Sequence, residues 1–133
     1  PADWSAVPAA IKNLQNRIIA LETNKISLNQ TFVLGFSQGA AMALGSGCEM
    51  PLAGIISCSG YSHPDWQIPL SIPRILLIHG KYDEIVPSKA SEMLFSNLNK
   101  SDYEVELFLF QGRHEIPKEA IAKIASNFSN WFK

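Results

Sequence analysis

A chain of 133 residues with 47% apolar and 17% charged side chains has the composition of a folded globular protein, and its length sets it at one domain, residues 1–133, rather than two. With 11 Lys and Arg against 12 Asp and Glu the formal charge is -1, so a basic face for nucleic acid or anionic lipid is excluded. No apolar run approaches the roughly 20 residues that cross a bilayer, and Cys48 and Cys58, without a CxxC spacing, read as buried thiols of a reducing, cytoplasmic setting.

In chain order, Val7, Ile11, Leu14, Ile18 and Leu21 recur at steps of four and three, which predicts an amphipathic helix with Pro8 in its first turn. Thr31 to Gly35 reads as a short apolar strand, and the small-residue segment Gln38 to Ser46 as a buried helix. Continuous apolar runs from Ala53 to Cys58, Arg74 to Ile78 and Tyr103 to Phe110 are the pattern of parallel strands covered on both faces. A helix is expected from Ser88 to Leu98, with Ser88 as N-cap and Ala90, Met93, Leu94 and Leu98 facing inward. The last helix starts near Pro117, with Ile121, Ile124, Phe128, Trp131 and Phe132 on one side. Strands alternating with helices predict an α/β fold of about four parallel strands with flanking helices, and reactive groups belong at the carboxyl ends of those strands.

Gly35-Phe36-Ser37-Gln38-Gly39 lies between the first predicted strand and the helix that follows it. Alone, a Gly-x-Ser-x-Gly pattern is weak. In this context it is the sharp turn that lifts a serine hydroxyl above a sheet, with the glycines leaving room for the turn and the Gln38 N–H aimed where an oxyanion would form. A serine hydroxyl needs a base, and the base needs an orienting carboxylate. His114 follows the last strand, in Gly112-Arg113-His114-Glu115, and is the expected base. His79, ending the run Ile75 to Ile78, reads as a residue that packs and hydrogen-bonds at the strand end, and His63 as part of a turn; both precede the candidate acid. Asp83 is the expected acid, with Glu84 its neighbouring competitor, Asp102 a turn former, and Ile85-Val86-Pro87 a shield for the Asp–His contact. Ser37, Asp83 and His114 thus stand in the order Ser, acid, His, each after a separate strand. Tyr61, Trp66 and Leu70 follow the second strand and are candidates to line an acyl pocket or to pack beneath that loop.

The chain resembles the phospholipase/carboxylesterase family of α/β hydrolases, which includes bacterial carboxylesterases and acyl-protein thioesterases. The likeness is carried by Gly35-Phe36-Ser37-Gln38-Gly39-Ala40, Pro51-Leu52-Ala53-Gly54-Ile55-Ile56, Ser59-Gly60-Tyr61, His79-Gly80 with Asp83-Glu84-Ile85-Val86-Pro87, and His114-Glu115-Ile116. The resemblance implies hydrolysis of a carboxylic ester or thioester of a small or acyl-chain substrate through an acyl-enzyme, with no metal or organic cofactor. Arg113 departs from the pattern, since the family usually has a small residue there. No HExxH or comparable ligand cluster suggests a metal-dependent hydrolase instead.

Family members carry several strands and an oxyanion loop before the serine turn, whereas 36 residues precede Ser37, so the expectation is the C-terminal part of the fold with N-terminal strands missing. The strand Thr31 to Gly35 would then be an exposed apolar edge. Three readings follow: part of a longer protein, a short form pairing that edge with a second copy as a homodimer, or a hydrolase-like domain kept for binding without catalysis.

Overall fold

The computed structural model describes residues 5–64, 66–69 and 73–132. Four strands, β1 (Phe32–Phe36), β2 (Gly54–Cys58), β3 (Arg74–Gly80) and β4 (Val105–Phe110), form one sheet in the order β1-β2-β3-β4, with every neighbouring pair parallel. The helices are α1 (Val7–Ile19), α2 (Gln38–Gly47), α3 (Lys89–Lys100) and α4 (Lys118–Trp131).

Alternation along the strands divides the core in two. On one face Val33, Ile55, Ile75, Leu77 and Leu107 meet Ile18 of α1, Ala43 and Leu44 of α2, and Leu94 and Leu98 of α3. On the other, Phe32, Ile56, Leu76, Ile78 and Phe108 meet Ala120 and Ile124 of α4. Both faces of β2 and β3 are therefore dry, which is why these strands read as unbroken apolar runs. Small residues in α2 let it lie close: a Cβ on Gly47 would sit 2.8 Å from Cδ1 of Ile55, and one on Gly45 would sit 2.9 Å from Cδ1 of Ile11.

The link from β2 to β3 carries no helix among the described residues. Trp66 and Ile68 from this link pack against the first core cluster, so side chains of an irregular segment cover sheet that a crossover helix would cover elsewhere.

Three expectations for the helices are corrected. Ser88 has helical dihedrals and its side chain makes no cap bond; its carbonyl accepts from Ser91 and Glu92 instead. Met93 is 56% exposed, because the inward stripe runs through Ser91, Leu94, Phe95 and Leu98 at helical spacing and leaves Met93 on the opposite side. In α4 the inward stripe is Ala120, Ile124, Asn127 and Trp131, whereas Ile121 is 57% exposed and Phe128 and Phe132 are largely exposed. The last two touch Phe32 of β1, at ring-centroid distances of 4.2 and 5.0 Å. Among the described residues strand β1 pairs with β2 alone, and Leu34 on it is 48% exposed.

Candidate active site

Ser37 occupies the turn between β1 and α2 with φ 56° and ψ -119°, a backbone conformation that costs a non-glycine residue about 1–3 kcal/mol and persists only where its surroundings impose it. Two contacts impose it. The Ser37 N–H donates to the Cys58 carbonyl at 2.8 Å, joining the turn to the end of β2. Gly35 lies against the first turn of α2 so closely that a Cβ would be 2.2 Å from the Gly39 carbonyl oxygen. Of the two flanking glycines, then, only Gly35 makes room for the turn; a Cβ on Gly39 would meet nothing within 4 Å. Gln38 is the first residue of α2, so its N–H has no acceptor within the helix and lies at the positive end of the helix dipole.

Asp83 follows β3, and its side chain is buried. Oδ1 accepts the N–H groups of Ile85 at 2.9 Å and Val86 at 2.8 Å; Oδ2 accepts Nδ1–H of His114 at 2.7 Å. Burial alone would raise the Asp83 carboxyl. The His114 bond, the Val86 and Ile85 amides and the charge of His114 together outweigh it and hold the group below the usual carboxylate range. Ile85 is 71% exposed, so this segment serves the carboxylate with backbone N–H groups and not, as the sequence suggests, with a shielding side chain.

His114 stands after β4, half-buried, its ring 4.7 Å from that of Phe36, the residue before Ser37. With Nδ1 donating to Asp83, Nε2 is left as the acceptor of the neutral ring. The two loops meet because residue 80 has no side chain: a Cβ there would lie 2.3 Å from the Arg113 carbonyl oxygen. Lys81 and Tyr82 donate to the carbonyls of Phe110 and Gly112, at 2.9 Å each. Glu84, the competing acid, points to solvent and pairs with Arg113 at 3.3 Å, a surface bridge worth about 0–1 kcal/mol. Asp102 adopts the left-handed conformation of a turn, with φ 63°.

His79 is fully buried with both ring nitrogens hydrogen-bonded, the packed strand-end residue that the sequence suggests. Three features escaped the sequence reading. His79 lies 3.4 Å from Oδ2 of Asp83, a second histidine at the carboxylate. Ser91 hydrogen-bonds to it from α3. Ser59, directly after β2, has φ 52° and a buried hydroxyl with no hydrogen-bond partner among the described residues. Of the proposed pocket residues, Tyr61 is half-buried, Trp66 packs against the first core cluster, and Leu70 lies outside the described residues. A groove of about 420 Å³ lined by Gln15, Ile19, Leu28 and Met50 sits at the amino ends of the strands, away from Ser37. Among the described residues no cluster of three or more His, Cys, Asp or Glu could hold a metal ion, and no helix is long and apolar enough to cross a membrane.

A strained serine between a parallel strand and a buried helix, followed in sequence by an acid and a histidine on later strands, is the arrangement of the α/β-hydrolase fold, here its C-terminal part. The chain belongs to the phospholipase/carboxylesterase family, whose model matches residues 2–132. It is 30% identical to acyl-protein thioesterase 1 homolog 1 of Dictyostelium discoideum, over 81% of this chain and 53% of that protein. Among solved structures, esterase PE8 is matched with a TM-score of 0.85 at 28% identity, over 93% of this chain and 61% of that one. SOBER1 of Arabidopsis thaliana is matched with a TM-score of 0.87 at 27% identity, over 100% of this chain and 68% of that one. The chain thus spans about half the length of the curated relative and under two thirds of the esterase.

Proposed function

We propose that these residues belong to a serine hydrolase that cleaves carboxylic esters or thioesters, with Ser37 as nucleophile, His114 as base and Asp83 as acid. The single observation that carries this reading is the 2.7 Å bond from His114 Nδ1 to a buried Asp83 carboxylate, in a chain whose only Gly-x-Ser-x-Gly turn holds its serine in a strained conformation. Nε2 of His114 takes the Ser37 proton as Oγ bonds to the acyl carbon, Asp83 stabilises the resulting imidazolium, and the Gln38 N–H holds the oxyanion. The proton passes to the leaving alcohol or thiol; water then attacks the acyl-enzyme by the same route and releases the acid. A small-molecule ester or acyl thioester is the substrate, with Tyr61, Trp66 and Leu70 as proposed walls of its acyl site, and the setting is cytoplasmic. Residues 1–133 act within one hydrolase domain.

A fluorophosphonate probe tests this directly: the protein should label, and Ser37→Ala should abolish labelling without unfolding it. A folded protein that does not label would favour the second reading, a hydrolase-like module kept for binding. In that second reading Leu34 and Phe36, exposed on β1, are where a partner or a second copy of the chain would add to the sheet. Sedimentation as a monomer at all concentrations would exclude the homodimer.

A further inference from the structure

Both ring nitrogens of His79 are engaged in the interior. Nε2 is 2.7 Å from the Val86 carbonyl oxygen, which can only accept, so Nε2 carries the proton. Nδ1 lies 2.6 Å from Ser91 Oγ and accepts its proton in the neutral ring. The same Nε2 edge faces Asp83 Oδ2 at 3.4 Å, while Val86 donates its N–H to Asp83 Oδ1 at 2.8 Å. One buried ring therefore restrains both carboxylate oxygens: it borders the first, and it holds the residue that binds the second.

We propose that His79 is a positioning residue that fixes the Asp83 carboxylate for His114, with the Val86 carbonyl selecting its Nε2–H tautomer and Ser91 on α3 holding the other ring nitrogen in place. This rests on the reading of Asp83 and His114 as acid and base. The segment from Asp83 to Pro87 is exposed at Glu84, Ile85 and Pro87, so its own packing does not hold it. Fixation comes from beneath, through a histidine anchored on β3 and a serine anchored on α3. Without them the carboxylate keeps its two amide partners but loses the constraint that aims Oδ2 at His114 Nδ1.

The test is proton and ¹⁵N NMR of the histidine rings, with fluorophosphonate labelling on the same samples. In the parent protein His79 should show a protonated Nε2 and an unprotonated Nδ1, and His114 a slowly exchanging, downfield Nδ1 proton. In His79→Ala that proton should move upfield and exchange faster, and labelling should slow by about tenfold. His79→Gln, whose amide can reach the Val86 carbonyl, should recover most of both. Ser91→Ala, which keeps the ring and serves if His79→Ala does not fold, should leave Nε2 protonated against the Val86 carbonyl but free Nδ1, and shift the His114 proton the same way. A folded His79→Ala with an unmoved His114 proton would overturn the proposal, as would a parent His79 protonated on Nδ1. Absence of labelling in a parent protein that shows the His114 proton would count against the hydrolase reading alone, since positioning is read from the resonance.

Discussion

Gly80 and Arg113 approach so closely that any Cβ at position 80 would fall 2.3 Å from the Arg113 carbonyl oxygen. This contact joins the loop carrying Asp83 to the loop carrying His114, and backbone against backbone cannot yield by changing rotamer. Gly80→Ala should therefore destabilise the fold by about 1–3 kcal/mol, the usual cost of overpacking, and should also weaken the Asp83–His114 bond. Denaturant unfolding measures the first effect, and the rate of fluorophosphonate labelling the second.

The two glycines flanking Ser37 should respond in opposite directions. Gly35→Ala drives a methyl into the Gly39 carbonyl at 2.2 Å and is expected to destroy the turn or the fold. Gly39→Ala places its methyl in open space within α2, where alanine is favoured over glycine by up to about 1 kcal/mol. Thermal unfolding of the two variants decides the matter: a Gly39→Ala protein that melts far below the parent would contradict the geometry.

Asp83 makes stability depend on acid. Its native carboxyl lies below the ordinary value of 3.8, so its contribution is fully present above that pH and is lost as pH falls through the lowered native value. Asp83→Asn should cost about 1–3 kcal/mol near neutrality by leaving amide and imidazole donors poorly matched. Urea titrations at a series of pH values should show the gap between parent and variant narrowing below pH 3.8. A constant gap down to the acid transition would count against it.

The thiols give an alkaline counterpart. Burial pushes Cys48 up to about 12 and Cys58 to about 11, against 9.0 for an accessible thiol. Their contribution to stability is complete below pH 9.0 and disappears as pH rises through 11 to 12. Neither thiol should react with a disulfide reagent at pH 8 until denaturant is added, when both should react together. Rapid modification of one cysteine in the folded state would refute this.

The sheet was legible because β2 and β3 are dry on both faces, and dryness on both faces writes itself as unbroken apolar runs. Ser37, Asp83 and His114 were legible as an order of residue types after successive strands. What could not be read was the work of the backbone. Ile85 and Val86 suggest shielding by their apolar side chains, yet their amides are what Asp83 uses. Met93 fits one inward spacing of α3, but the face that packs is centred on Leu94, Phe95 and Leu98, with Ser91 on it, and the polar Ser91 gave no apolar mark of that face. Gly39 looks as necessary as Gly35 in the motif, and only the three-dimensional neighbourhood separates them.

Strand order that follows chain order has a consequence for how the protein comes into being. Among the described residues each strand pairs with the one before it in the chain, so no pairing passes over another strand. During synthesis from the amino end, the Ser37 turn can be complete once β2 supplies the Cys58 carbonyl, whereas the Asp83–His114 bond must await β4 and the loop beyond it. The partners of the strained serine thus lie early in these residues, and the acid–histidine contact is assembled from later ones.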